Sequence, residues 1–247
     1  MVRFFVPPEQ MQEASVTITG DEFVHLSRVL RLRAENIVCL FDGTGREYTA
    51  CIKEVGKRSA TLQLTAQQAC GTEPRVRVTL YQGLPKSGKM ETIIQKCVEL
   101  GIYAVQPVSM VRCVVKADEY DKKLARYQRV AHEAAKQARR GIVPAVLPVK
   151  KLADCAFAGH DLVLFAYEEE RVRTLKSALC GSGAKDIALI IGPEGGFALE
   201  EAEALRAAGH LPLSLGTRIL RTETAGMAML AMVLYELEDD LDGSEHA

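Results

Sequence analysis

The sequence predicts an α/β protein in which a small β-barrel precedes a larger domain built on a parallel sheet. Short segments rich in β-branched residues fill the first third of the chain, with one helix-like stretch among them. From residue 75 onward strands alternate with helices, which is typical of a parallel sheet covered by helices on both faces. The 247 residues suffice for both parts, and we place the domains at residues 1–72 and 73–247.

The strands expected in the first domain are short, and some alternate between apolar and polar side chains. They are "SVTIT" (15–19), "NIVCLFD" (36–42), "EYTACIKEV" (47–55) and "SATLQLTAQ" (59–67). One helix is expected over "DEFVHLSRVLRL" (21–32), a turn at "DGTG" (42–45) and a linker at "ACGTEP" (69–74).

In the second domain the apolar runs predict five strands, which are separated by longer helical patterns. The expected strands are 76–82, 103–110, 161–167, 186–191 and 211–216. The expected helices are 90–101, 119–141, 169–181, 198–209 and 222–240. Because the last of these is apolar almost all round from Ala225 to Tyr235, we expect it to be buried on every side.

Composition predicts a reduced, cytoplasmic protein. The seven cysteines form no C-x-x-C pair, and the first residues, "MVRFFVPPEQ", lack the apolar run of a secretion signal. The longest apolar stretch is too short to span a bilayer. We therefore expect no membrane association, no bound metal and free thiols.

The net charge of −1 conceals an uneven distribution. Residues 73–140 carry fourteen basic and seven acidic side chains, whereas residues 141–247 carry nine basic and seventeen acidic ones. A basic segment inside a neutral chain is typical of a local surface that binds a polyanion, although ordinary solvated charge explains it as well.

The stretch "GLPKSGKM" (83–90) differs by one residue from the phosphate-binding loop G-x-x-x-x-G-K-[ST]. Met90 stands where Ser or Thr would coordinate Mg²⁺, and a thioether is a poor ligand for that ion. A nucleoside triphosphatase is therefore disfavoured. A loop whose lysines reach an RNA phosphate explains the residues equally well, and so does a simple turn.

Two glycine-bearing loops follow the late strands, "IIGPEGGF" (190–197) and "LSLGTRILRTETAGMAML" (213–230). Adjacent glycines permit backbone geometry closed to other residues and let a ligand approach the main chain. Ligands of open parallel sheets bind at the carboxyl ends of strands. The two loops together are expected to clamp a flat adenine, whereas either one alone is also consistent with a tight strand-to-helix turn.

Over nearly its whole length the chain resembles the RsmE-type family of 16S ribosomal RNA uridine-N3 methyltransferases, which belong to the SPOUT class. The resemblance lies in "RFFV" (3–6), "HLSRVLRL" (25–32), "GLPKSGKMETIIQKCVELG" (83–101), Gln137, Arg140, "IGPEGGF" (191–197) and "LGTRILRTETA" (215–225). One departure is the lysine loop, which often reads Lys-Gly-Asp in the family and here reads Lys86-Ser87-Gly88.

The resemblance implies a PUA-like RNA-binding barrel followed by a SPOUT methyltransferase domain whose chain forms a deep trefoil knot. It implies S-adenosylmethionine as cofactor and a homodimer in which the cofactor site is completed near the subunit interface. The implied partner is 16S rRNA, either free or within the small ribosomal subunit.

By resemblance to the family, the two loops are expected to form an apolar slot that binds the cofactor. Its expected residues are Ile191, Gly192, Gly196, Leu215, Gly216, Ile219, Leu220 and Ala225. A weaker third wall is expected at "FAYEE" (165–169).

Uridine N3 carries a proton that is lost only well above neutral pH, so the enzyme must remove it or stabilise the anion. Arg221 suits the stabilising role and Glu223 suits the role of proton acceptor. The alternatives are a contact with phosphate or the cofactor carboxylate for Arg221, and a helix-end acid for Glu223.

A protein that acts on RNA must bind the phosphates of the RNA backbone. At about 100° per residue, five basic residues of the helix over 121–140 fall within a sector of about 80°: Lys122, Arg126, Arg129, Lys136 and Arg140. The RNA-binding candidates are Arg126, Arg129, Lys136 and Arg140 on that helix, Arg3, Arg28, Arg31 and Arg33 in the barrel, and Lys86 and Lys89 in the loop. Two other functions stay open: another SPOUT activity, such as ribose 2′-O-methylation of tRNA or rRNA, and a non-catalytic RNA-binding ribosome-assembly factor.

Overall fold

The structure is a computed structural model that describes residues 1–12, 14–86 and 88–238. Its contacts divide the chain into two compact units. The first comprises Met1–Glu73 and Ala135–Val143, and the second comprises Pro74–Ala134 and the described residues from Pro144 on. No feature of the sequence pattern predicts that Ala135–Val143 belongs with the first unit.

The first unit is a five-stranded sheet folded around an apolar core. Its strands are β1 (Arg3–Phe5), β2 (Ser15–Ile18), β3 (Ile37–Phe41), β4 (Arg46–Val55) and β5 (Ala60–Ala69). They lie in the order β1–β3–β4–β5–β2, with β1 parallel to β3 and the other pairs antiparallel. The four predicted strands are confirmed. The largest fully buried side chains of this core are Phe4, Leu26, Leu40, Ile52 and Leu62.

The helix predicted over 21–32 is shorter and irregular. The α-helix α1 (Gly20–Val24) continues into one π-helical turn over His25–Val29. The Leu30 N–H there donates to the His25 carbonyl, five residues back. Arg31 then adopts a left-handed conformation, with φ of 52°, which ends the helix.

Glu73 holds the returning segment Ala135–Val143 in the first unit. Its carboxylate accepts the backbone N–H groups of Gly141 (2.7 Å) and Ile142 (3.0 Å). The other carboxylate oxygen pairs with Arg140 Nη2 at 2.6 Å, and Arg140 is only 3% exposed. The prediction that Arg140 lies on an exposed RNA-binding face is therefore wrong, because this residue follows the end of its helix and turns inward.

We expect Arg140→Met to lower the free energy of unfolding by about 2 kcal/mol, because it leaves the carboxylate of Glu73 largely buried without its ionic partner. Urea unfolding of the full chain measures this loss. The matched control is Arg58→Met, in an exposed turn, where a change within about 0.5 kcal/mol is expected. Equal stability of the two variants would contradict the structural role of Arg140.

The second unit contains a seven-stranded sheet in which the strand pairs are parallel. The strands are β6 (Arg77–Gly83), β7 (Ala104–Ser109), β8 (Ala145–Val146), β9 (Lys150–Lys151), β10 (Leu162–Ala166), β11 (Asp186–Ile191) and β12 (Leu211–Leu213). Their order is β12–β10–β11–β6–β7–β8, and β9 pairs with β7. The predicted parallel sheet is confirmed, and the carboxyl ends of its central strands meet at one edge.

The helices described after residue 88 range in length from five to sixteen residues. They are α2 (Lys89–Leu100), α3 (Ala117–Asp121), α4 (Leu124–Gln137), α5 (Leu175–Leu179), α6 (Leu199–Ala207) and α7 (Thr222–Leu237). The single helix predicted over 119–141 is thus two helices, separated by a turn at residues 122–123. The helix predicted over 169–181 is confined to α5, because the Glu170 carboxylate accepts the N–H groups of Val172 and Arg173 and forms a competing turn.

Within this single chain the last helix is not buried on every side. Met229, Leu230 and Val233 are fully buried, but Met232 is 44% exposed and Tyr235 is 83% exposed. The predicted end at residues 239–240 lies outside the described residues. Within the described part of the chain, no helix has the length and apolar character needed to cross a membrane.

Candidate active site

The loops that follow β10, β11 and β12 enclose a pocket of about 370 Å³ together with the first turn of α7. This volume lies in the range of small-molecule sites, at the sheet edge where such sites are expected. The pocket lining includes the whole set predicted for the cofactor: Ile191, Gly192, Gly196, Leu215, Gly216, Ile219, Leu220 and Ala225. Ala166, Tyr167 and Glu168 supply the third wall.

The close approach of β6 to the loop after β11 requires glycine at position 83. A Cβ atom on Gly83 would lie 2.6 Å from the Pro193 nitrogen and 2.9 Å from the Gly192 carbonyl carbon. The same loop turns at Gly196, whose φ of 68° favours glycine and whose Cβ would meet the Glu168 carboxylate at 3.0 Å. Gly83 therefore allows β6 to pack closely against the loop behind the pocket. In the sequence, its position relative to Gly88 and Lys89 had resembled that of a phosphate-binding loop.

A buried chain of hydrogen bonds joins β6, α7 and the loop after β11. Gln82 Nε2 donates to Thr222 Oγ1 (2.8 Å), and Thr222 Oγ1 donates to the Gly192 carbonyl (2.7 Å). Both side chains are buried, so these bonds fix the start of α7 against the pocket loop. Gln82 was not predicted as a site residue from the sequence. The feature that could have indicated its role is a polar amide side chain at the end of an apolar strand.

The loop after β12 forms the open wall of the pocket. Gly216 turns the backbone with a φ of 110°, and Leu215 and Leu220 are half-buried against the pocket. Ile219 lines the pocket although it is 86% exposed. Ile219 therefore lies at the pocket and in contact with solvent at the same time.

Lys89, Glu194 and Glu223 form a charge cluster at the pocket. Lys89 Nζ lies 3.0 Å from Glu194 Oε1 and 3.1 Å from Glu223 Oε2. The ammonium thus joins the start of α2 to the loop after β11 and to the first turn of α7. Lys89 was predicted to reach an RNA phosphate, but two carboxylates already hold its ammonium.

The charges of this cluster stabilise one another. The hydrogen bond from Lys89 to Glu194, together with the ion pair to Glu223, raises the pKa of the lysine above its usual value. Burial raises the pKa of Glu223, but the backbone N–H at the helix start and the Lys89 ammonium outweigh burial, so this pKa lies below its ordinary value. The pKa of Glu194 is lowered by the same kind of balance. All three groups are therefore charged at neutral pH.

Arg221 occupies the residue before α7, where its carbonyl accepts the N–H groups of Thr224 (2.9 Å) and Ala225 (2.8 Å). Its side chain is exposed and lines the pocket. The structure therefore places Arg221 in the same pocket as the eight cofactor candidates. Glu223 does not line that pocket but pairs with Lys89, which does.

The basic candidates in the barrel differ in exposure. Arg28, Arg31 and Arg33 are exposed. Arg3 instead pairs with Glu47 at 2.6 Å, and its guanidinium lies over the Phe41 ring. The prediction that Arg3 joins an exposed RNA-binding cluster is therefore wrong.

The remaining basic candidates also fall into two groups. Arg126 and Arg129 are exposed on α4, although Arg126 pairs with Glu91 at 2.9 Å. Lys136 is engaged by Glu22 and is mostly shielded from solvent. Lys86 is exposed, and its backbone N–H donates to Glu194 Oε1 at 3.0 Å.

Residues 1–12, 14–86 and 88–238 contain no group of three or more His, Cys, Asp or Glu side chains able to hold a metal ion. All seven cysteines are free thiols.

Comparison with known families decides the class of the protein. The sequence profile of an RNA methyltransferase domain matches residues 72–234. The chain belongs to this family. A second profile, of an RNA methyltransferase PUA domain, matches residues 18–65 of this methyltransferase. The predicted fold class is thereby confirmed, and the trefoil knot within it stays a prediction.

Two relatives that match over nearly the whole of this chain share the same name. The methyltransferase is 34% identical over 250 residues to the ribosomal RNA small subunit methyltransferase E of Bacillus subtilis, with 96% of this chain and 98% of the relative covered. It is 35% identical over 245 residues to the protein of that name from Synechocystis, with 96% of this chain and 78% of the relative covered.

A solved structure is also similar over the full length. The crystal structure of a ribosomal RNA small subunit methyltransferase E from Neisseria gonorrhoeae, bound to S-adenosyl methionine, has a TM-score of 0.79 and 31% identity. The comparison covers 95% of this chain and 97% of that one.

Proposed function

We propose that this protein transfers a methyl group from S-adenosylmethionine to N3 of a uridine in 16S ribosomal RNA. The observation that carries the proposal is the convergence of two glycine-bearing loops in one pocket beside a charged Lys–Glu–Glu cluster. The names of the relatives support small-subunit ribosomal RNA as the substrate, and the ligand of the Neisseria structure supports the cofactor.

The pocket residues fit S-adenosylmethionine. Ile191, Leu215, Leu220 and Ala225 provide an apolar slot for an adenine ring, and the glycine turns expose backbone donors and acceptors to its edge. The carboxylates of Glu168 and Glu194 offset a sulfonium charge. When bound, the cofactor supplies an electrophilic methyl group.

Glu223 and Arg221 provide the chemistry that the uracil requires. Glu223 is charged at neutral pH and accepts the N3 proton, and the exposed Arg221 guanidinium stabilises the negative charge that develops on the uracil oxygens. Because the low pKa of Glu223 makes it a weak base, stabilisation of the anion is as important as removal of the proton.

RNA is held by exposed arginines on each unit. Arg28, Arg31 and Arg33 belong to the first unit, and Arg126 and Arg129 belong to the second. The guanidinium groups bind phosphates without reading sequence, and they position the target uridine.

Charge reversal tests the α4 arginines. We expect Arg126→Glu with Arg129→Glu to weaken RNA binding by about tenfold or more at moderate salt and to flatten its salt dependence. Cofactor affinity, measured by calorimetry, stays unchanged. The control is Lys176→Glu with Lys185→Glu, the same change in net charge on other exposed residues of the second unit. Equal RNA affinities of the two double variants would remove α4 from the RNA-binding surface.

A homodimer accounts for the exposed apolar face of α7. Met232 and Tyr235 are exposed on that helix, and Ile219 is exposed at the pocket. A second copy that covers these side chains also closes the open wall of the pocket. The reaction takes place in the cytoplasm, on 16S rRNA that is free or within the small ribosomal subunit.

Nucleoside analysis tests the function directly. The purified protein is incubated with unmodified 16S rRNA and S-adenosylmethionine, and the digested RNA is analysed by mass spectrometry. We expect 3-methyluridine, formed at one position. A ribose-methylated nucleoside would assign the protein to another activity of its class, and the absence of any product would refute the proposal.

A further inference from the structure

Lys89 contacts two different segments near the pocket, and the proposed function does not by itself explain these contacts. It is the first residue of α2, a helix that otherwise contributes buried apolar side chains to the core, among them Ile93, Ile94 and Cys97. The residue before it, Gly88, has a φ of 85° and supplies no side-chain cap. The lysine nevertheless lines the pocket and makes two ion pairs there.

The two partners of Lys89 come from two different segments of the chain. Glu194 lies in the loop that forms the cofactor pocket, and Glu223 lies in the first turn of α7. Glu194 is itself held from outside the pocket, since its Oε1 also accepts the Lys86 N–H. The ammonium has three N–H donors, so it can bind both carboxylates at once.

We propose that Lys89 is a positioning residue, which ties the Glu194 loop to Glu223 and thereby holds the Glu223 carboxylate in place beside the cofactor pocket. This inference rests on the proposed function, and it assigns Lys89 to the reaction centre instead of to an RNA phosphate. The hydrogen bonds of Gln82 and Thr222 fix the backbone of the same helix start from the buried side. Lys89 fixes the side chain from the exposed side.

A consequence follows for the pH dependence of the reaction. The other ionisable groups of the pocket are Tyr167, Glu168, Arg171, Arg218 and Arg221. The carboxylate of Glu223 must be charged to accept a proton, and Lys89 lowers its pKa. Removing the ammonium therefore raises the pKa of Glu223, and the acid limb of the rate profile moves to higher pH.

The test compares Lys89→Met, Lys89→Arg and the control Lys96→Met. Lys96 belongs to the same helix, but its ion pair is with Glu99 on the surface. Single-turnover methylation of 16S rRNA is followed with radiolabelled S-adenosylmethionine from about pH 4.5 to pH 8. Calorimetry measures cofactor binding, and thermal unfolding confirms that each variant is folded.

We expect Lys89→Met to lower the rate constant roughly 10- to 100-fold and to shift its acid limb to higher pH, because a displaced catalytic group is costly. Lys89→Arg restores much of the rate, since a guanidinium also bridges two carboxylates, and Lys96→Met behaves as the wild type. In the Glu223→Gln background, Lys89→Met has almost no further effect, because both changes act through one group.

Three results would overturn the inference. The first is a rate for Lys89→Met equal to the wild type. The second is a loss confined to the KM for RNA, with rate constant and acid limb unchanged, which would make Lys89 a phosphate contact. The third is a full, multiplicative loss in the Glu223→Gln background. Absence of methylation by the wild-type chain itself would overturn the proposed function, and the inference with it.

Discussion

Glu223→Gln is expected to lower the rate of methyl transfer by about 100- to 10,000-fold while the affinity for S-adenosylmethionine changes little. Glutamine keeps the size of the side chain and its place in the first turn of α7, but it cannot accept the N3 proton. The carboxylate lies 3.1 Å from the Nζ of Lys89, a residue that lines the pocket, and its low pKa keeps it charged at neutral pH. Single-turnover kinetics with saturating RNA separates the chemical step from binding.

The matched control for this variant is Glu236→Gln, at the exposed far end of the same helix. We expect its rate to equal that of the wild type. If Glu223→Gln kept the wild-type rate as well, Glu223 would be only a helix-end acid, and anion stabilisation by Arg221 would have to supply the catalysis.

Gly83→Val is expected to destabilise the protein by about 3 kcal/mol or more and to abolish cofactor binding at ordinary concentrations. The added Cβ would lie 2.6 Å from the Pro193 nitrogen and 2.8 Å from Pro193 Cδ, and both atoms belong to the loop that forms the pocket. The loop must shift away from β6, and the pocket wall at Gly192 moves with it. Urea unfolding and calorimetry with S-adenosylmethionine measure the two effects.

Gly159→Val serves as the control, because a Cβ at Gly159 meets nothing within 4 Å. Its stability and cofactor affinity are expected to stay within about 0.5 kcal/mol of the wild type. A Gly83→Val protein that binds the cofactor normally would show that the contact between β6 and the pocket loop is dispensable.

The parallel sheet and the pocket loops follow from local patterns. Buried runs such as Asp186–Ile191 predict strands from their β-branched residues, and Gly196 and Gly216 predict turns that only glycine adopts readily. Because parallel strands end at one edge, the loops after them must meet there. The convergence of the eight cofactor candidates in one pocket could therefore be predicted from the sequence once the resemblance named the loops, and their binding of the cofactor stays a prediction.

Contacts between residues that are far apart in the sequence could not be predicted from the sequence. The inward turn of Arg140 depends on Glu73, and the position of Lys89 depends on Glu194 and Glu223, more than 100 residues further along the chain. Helical periodicity placed Arg140 beside the exposed Arg126, because it assumed a helix that ends later than Gln137. Periodicity reports which face of an element is apolar, and it cannot report which charge a basic residue meets.

The central claim is that the loops after β11 and β12 form the S-adenosylmethionine site. A crystal structure of the protein with S-adenosylmethionine tests it most directly. We predict density for the adenine in the apolar slot of Ile191, Leu215 and Leu220, with the methyl group directed toward Glu223 and Arg221. Density for the cofactor at any other place, with this pocket left empty, would contradict the account.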